Sequence, residues 1–241
     1  VFSNATAAPI TYNFTGTVFH SDGAFASEAG IGSTITGSYS VELTSVDANP
    51  GDPTLGEYLN ITTSLVFSAG SVSGSSTSNH TVLVANDRTA PSIPGTYDAY
   101  VVHGSVQANL SGGGGIFGSD FRLAMTDGDG TIFSGDGLPT SSGFFSPAAF
   151  SGPNDAAVID ILTGGPHFSG LATNDLLIPT TSGAIAGISA NQLRATIDTF
   201  TQASTASEPA VLALFAFGIA GLHFLNRRQR KTSVEDKKSS D

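Results

Sequence analysis

Residues Ile10-Thr11-Tyr12-Asn13-Phe14-Thr15-Gly16-Thr17-Val18 decide the fold class. Ile10, Tyr12, Phe14 and Val18 alternate with Thr11, Asn13, Thr15 and Thr17. Successive side chains of a strand point to opposite faces, so this period of two marks a strand with one face in a core and the other in water. A surface helix would instead repeat its apolar residues three and four positions apart.

The same alternation recurs outward from this stretch. Ile35, Tyr39, Val41 and Leu43 are interleaved with Thr36, Ser38, Ser40 and Glu42. Asn49-Pro50-Gly51-Asp52-Pro53 is a loop by composition. Further strands are predicted over 58–67, 80–85, 97–103, 105–110, 121–126, 131–134, 157–162 and 193–200, with a turn or bulge at 112–115. Before residue 207 no stretch sustains helical apolar spacing over three turns. Short strands separated by turn signals predict two packed antiparallel sheets, a jelly-roll-like β-sandwich over 8–200.

Composition narrows the partners. There is no cysteine, so neither disulfides nor thiol chemistry are available. Residues 1–206 set only Arg88, Arg122 and Arg194 against 16 Asp and Glu, a balance of −13 within a chain of net charge −11. A domain this acidic repels nucleic acid and anionic lipid, and it attracts divalent cations.

The two ends have their own character. Ala5-Thr6-Ala7 has the small-x-small form cut by signal peptidase, so residues 1–7 are expected to be a signal-peptide remnant. Residues 201–207 form a polar linker. Ser207-Glu208-Pro209 then introduces Ala210 to Leu225, which carries no formal charge, and Asn226-Arg227-Arg228-Gln229-Arg230-Lys231 closes it. Pro209 suits the first turn of a helix and Glu208 suits its positive end. A single transmembrane helix is expected within 208–231. At about 1.5 Å per residue the apolar run spans about 24 Å, and arginine snorkelling lengthens it. The basic flank places the polar tail, residues 232–241, in the cytoplasm and residues 1–206 outside.

This segment resembles the PEP-CTERM sorting signal of Gram-negative bacteria, which combines a Pro-Glu-Pro motif, a short Leu/Ala/Gly-rich span and an arginine cluster. Glu208-Pro209, Gly218, Ala220, Gly221, Leu222 and Arg227-Arg228 fall in that order. Ser207 stands where the family has its first proline, and a tail from Thr232 to Asp241 follows the arginines. The resemblance implies a sorting signal carried by Ser207, Glu208, Pro209, Arg227, Arg228 and Arg230. It implies recognition by an exosortase at the inner membrane, cleavage near Glu208-Pro209, and passage to the cell surface or beyond. The body also resembles a group of PEP-CTERM proteins through Ile10 to Val18, Ile35-Thr36-Gly37-Ser38-Tyr39 and Phe121 to Pro139.

Chemical motifs are few. Asp127-Gly128-Asp129-Gly130 with Asp136 is the candidate metal site, because carboxylates held in a glycine turn suit an oxygen-seeking ion such as Ca²⁺. Asp-Gly pairs are equally the ordinary chemistry of hairpin turns. The remaining ligands of an EF-hand loop are absent. Gly113-Gly114-Gly115-Ile116-Phe117-Gly118 matches a dinucleotide fingerprint in letters alone, without the strand-to-helix context that binding needs. His20, His80, His103 and His167 show no metal-type spacing, and there is no Gly-x-Ser-x-Gly elbow. The leading expectation is a non-enzymatic, exported surface or matrix protein. One alternative is a carbohydrate-binding module or hydrolase acting on exopolysaccharide, with Tyr12, Tyr39, Tyr58, Tyr97 and Tyr100 as stacking platforms. Another is a single-pass membrane protein that is never processed.

Overall fold

The computed structural model describes residues 9–76, 80–90, 93–110, 115–139, 155–163 and 191–203. Among these residues ten strands run in chain order: β1 (Ile10–Ser21), β2 (Thr34–Val41), β3 (Leu55–Ala69), β4 (Val72–Ser76), β5 (His80–Ala90), β6 (Ile93–Asn109), β7 (Gly115–Asp127), β8 (Ala156–Thr163), β9 (Asn191–Thr196) and β10 (Thr199–Gln202). Every pairing is antiparallel.

The pairing closes on itself. Strands β4 and β5 both lie between β3 and β6, and β9 and β10 both pair with β1, so ten strands fill eight positions. The closing contact joins β1 to β9 through Val18↔Ala195 and His20↔Arg194. The expected jelly-roll-like sandwich is therefore corrected to a closed eight-position antiparallel barrel in which strands consecutive in the chain occupy adjacent or shared positions. An alternating strand looks the same in either architecture. What separates them is whether the first strand finds the last, across about 180 residues, and here it does.

The structure gives the expected transmembrane helix no support. Among the described residues no helix is long and apolar enough to cross a membrane, and residues 208–231 lie outside them. So do the expected signal-peptide remnant, most of the linker and the tail. The chain divides into two units, 1–203 and 204–241, of which only the first contains described residues.

Strand boundaries follow the alternation, with informative exceptions. The predicted strands 97–103 and 105–110 are one long strand, β6, and the predicted 193–200 is broken into β9 and β10 at Ile197-Asp198. The small residues of β4 hid it from an apolar search. Asn60 and Asp87 adopt positive φ where the β3–β5 and β5–β6 registers shift, a backbone state that Asn and Asp tolerate better than most residues.

The inward positions form one core that includes Tyr12, Phe14, Ile35, Phe67, Val102 and Phe121. An eight-strand barrel is just wide enough to be filled by its own side chains. Large rings are accommodated by missing ones: a Cβ on Gly37 would lie 2.2 Å from the Phe14 ring, and one on Gly104 would lie 2.4 Å from His80. Phe25 and Ala29, in the β1–β2 connection, join this core from one end of the barrel. Ile132, Phe133 and Leu138 pack against it from the β7–β8 connection, at the other end. The predicted strand 131–134 is thus part of an irregular plug, because its apolar side chains serve the barrel mouth instead of a sheet.

Candidate functional site

The acidic glycine loop is where the plug is tied down. Asp127 ends β7, and its Oδ2 accepts the Thr131 N–H at 2.8 Å. Asp129 Oδ1 accepts the Thr131 hydroxyl at 2.7 Å. Burial, followed by the nearby Asp129, raises the Asp127 carboxyl above its ordinary value, while the Thr131 N–H works against the rise. Asp136 contributes its backbone carbonyl, which accepts the Tyr58 hydroxyl at 3.0 Å. Two of the three predicted ligands therefore meet around one threonine, while the third is engaged through its main chain. Among the described residues no group of three His, Asp or Glu could hold a metal ion.

The same mouth buries a further carboxylate. Asp98 is the register partner of Asp127 on β6. Its two oxygens accept the N–H groups of Asp87, at 2.9 Å, and Phe133, at 2.6 Å. Asp155 accepts the Gly128 N–H at 2.8 Å. These acids satisfy backbone donors that the irregular loop cannot pair in a ladder.

A constellation that the sequence reading overlooked lies on the outside of the barrel. Phe121, Leu123, Ile159, Ile161, Leu193 and Ala195 face the inner core, so the residues between them face outward. Three of these, Arg122 on β7, Asp160 on β8 and Arg194 on β9, are direct register neighbours. Asp160 Oδ2 accepts Arg122 Nε at 2.8 Å and a second bond from Arg122 Nη2. Its Oδ1 accepts Arg194 Nε at 2.6 Å. All three side chains are at most 1% exposed. The Arg194 guanidinium also lies 5.2 Å from the centre of the Phe19 ring. His103 and His20 extend the row on either side, opposite Arg122 and Arg194. A clue was legible: Phe121-Arg122-Leu123, Ile159-Asp160-Ile161 and Leu193-Arg194-Ala195 each set one charge between apolar residues.

The tyrosines proposed as sugar platforms turn out to be structural. All five are buried. Tyr39 donates to the Tyr100 hydroxyl at 3.1 Å, and Tyr12 stacks on Phe200 with centroids 5.2 Å apart. Burial pushes the Tyr100 hydroxyl far above its ordinary range and the Tyr97 hydroxyl up to about 12. A stacking surface must be reachable by a ring of the ligand, and these are not.

His80 is fully buried inside the barrel. It lies opposite Thr62 and edge-on to Phe121, with ring centroids 6.4 Å apart. Neither ring nitrogen has a hydrogen-bond partner. Burial, then the positive potential of His103, lowers its pKa to about 4. The sorting residues Ser207, Glu208, Pro209, Arg227, Arg228 and Arg230 lie outside the described residues.

Comparison with protein-family models, with curated proteins and with solved structures finds no match.

Proposed function

We propose that this chain is a non-enzymatic, exported cell-surface or extracellular-matrix protein of a Gram-negative bacterium, sorted through its C-terminal segment. The observation that carries this reading is the linear order of Glu208-Pro209, an uncharged Ala/Leu/Gly-rich run and Arg227-Arg228-Gln229-Arg230. Its inferred partner is an exosortase at the inner membrane. The absence of cysteine and the −11 charge suit a soluble life among other polymers. The buried carboxylates support a structural role for the barrel, since Asp98 and Asp127 hold backbone N–H groups and Asp160 holds two arginines.

Intact mass of the protein recovered from a strain with an active exosortase tests the proposal. The expected product lacks everything after about Glu208-Pro209, and Glu208→Ala leaves the full-length form in place. A wild-type product that retains Arg227 and Arg228 would overturn it.

A further inference from the structure

The outward face of β10, β1, β2, β3 and β4 is a hydroxyl-rich lattice, interrupted by Asn13 and by Val66, which is 49% exposed. One cross-strand row runs Thr199, Thr15, Thr36, Ser68, Ser73. The next runs Thr201, Asn13, Ser38, Val66, Ser75. A third joins Thr11, Ser40 and Ser64. These thirteen positions are exposed or half-buried, and none carries a formal charge.

The hydroxyls are ordered laterally. Thr15 and Thr199 share a bond of 2.7 Å, Thr36 and Ser68 one of 3.1 Å. Thr11, Ser40 and Ser64 form a chain with links of 2.8 and 3.2 Å. Each hydroxyl has one donor and two acceptor positions, so these lateral bonds leave capacity directed outward. The β-branched threonines have few rotamers to lose on binding. Adjacent strands stand about 4.8 Å apart, and same-face residues repeat about every 6.7 Å along a strand. Apart from Val66, the face is therefore a repeating grid of donors and acceptors.

Charge selects the occupant. The chain carries −11, yet its described acids fall outside this lattice, with Glu28, Glu42 and Asp47 in the connections and Asp198 at the border beside Thr17. A polyanion is repelled by the molecule as a whole, and a polycation finds no carboxylate on the grid. A neutral chain rich in hydroxyls meets neither obstacle. We propose that this face is a docking surface for an uncharged polysaccharide lying across the strands. This deepens the matrix role proposed above and, for its biological setting, rests on that reading. Each contact is weak because it replaces water, so affinity accumulates along the polymer through repeated engagement.

The test is co-sedimentation of the purified full chain, in mild detergent, with insoluble neutral glucan (cellulose or curdlan), with soluble alginate as a polyanionic competitor. The expected result is sedimentation with a neutral glucan that alginate does not compete away. Thr15→Val with Thr36→Val keeps shape and β-branching while removing two central hydroxyls, and should lower the partition constant at least fivefold. Thr89→Val, exposed on β5 outside the lattice, should leave it unchanged, as should Thr199→Val leave the melting temperature unchanged while weakening sedimentation. Failure to sediment with either glucan, equal binding by the double variant, or displacement by alginate overturns the proposal. Because the assay uses the unprocessed chain, its outcome does not depend on sorting, and a failed sorting test leaves it readable.

Discussion

The barrel has two outsides. Across the lattice of β1–β4 the outward residues are uncharged and in contact with water, such as Asn13, Thr36, Ser68 and Ser73. Around β5–β9 a large share of the outward residues is buried: Leu83, Tyr97, Val101, Ala124, Val158 and Leu162 form a second apolar cluster, and the Arg122–Asp160–Arg194 row runs through it. One closed sheet thus has both a solvated face and a face treated as interior. The same pleat, with the same alternation, carries opposite energetics on its two sides. On the first, a hydrogen bond exchanges with water and contributes little. On the second, every charge must be met by another, because an unmatched one has no solvent to fall back on.

This contrast predicts its largest effect at Asp160. Asp160→Ala leaves two buried guanidinium groups facing a lost partner and should destabilise the protein by about 3–5 kcal/mol. Denaturant unfolding measures this, and a loss no greater than that of an exposed substitution would erase the distinction between the faces. Replacing the row together, Arg122→Met, Asp160→Leu and Arg194→Met, should restore much of the loss, because a well-packed apolar row avoids the desolvation of three charges.

A somewhat smaller effect belongs to the seam. Strand β5 pairs with β3 on the exposed side and β6 on the buried side, and it carries His80. The groups nearest in the sheet are His103 on β6, whose own pKa is lowered by burial, and beyond it Arg122 and Asp120. The folded pKa of His80 is lowered from 6.5 to about 4, so the unfolded chain binds the proton more readily. Stability is complete above pH 6.5, falls as the pH drops through the window between 6.5 and about 4, and levels off below it. The loss from this residue amounts to roughly 3 kcal/mol. Melting temperature followed against pH in wild type and His80→Gln isolates it, since the variant should flatten that limb. Identical curves would show that His80 does not titrate in this window.

The smallest effect is expected on the solvated face. Thr36→Val should change stability by no more than about 0.5 kcal/mol, since its hydroxyl bond to Ser68 is exposed. A change comparable to that at Asp160, measured in the same denaturant series, would mean that this face is also covered.

Much of the barrel was legible residue by residue. Ile10 to Val18 announced β1, and Phe121 to Met125 announced the middle of β7, because the burial of one strand face is written locally in every second side chain. The candidate site was less legible. Asp127, Asp129 and Asp136 attracted attention as neighbours in the chain, but Asp98, which shares the barrel mouth with Asp127, is 29 residues away in sequence. The row of Arg122, Asp160 and Arg194 is assembled from three strands. Its members could be suspected singly, from a charge between apolar residues, but they become partners only through the β7–β8 and β8–β9 registers.

The sequence by itself determined the antiparallel strands, the one-sided polarity of β1 and β2, the acidity of the chain and the linear order around Glu208-Pro209 on which the sorting proposal stands. These depend on chain order and on a period of two, which no distant contact alters. Tertiary structure alone decided that the sheet closes, that the five tyrosines are buried, and that much of the outer face of β6 to β9 is buried while the lattice of β1 to β4 is exposed. Closure joins Val18 to Ala195. Such a contact is set by the joint fit of every strand between them and leaves no mark on any short stretch of the chain.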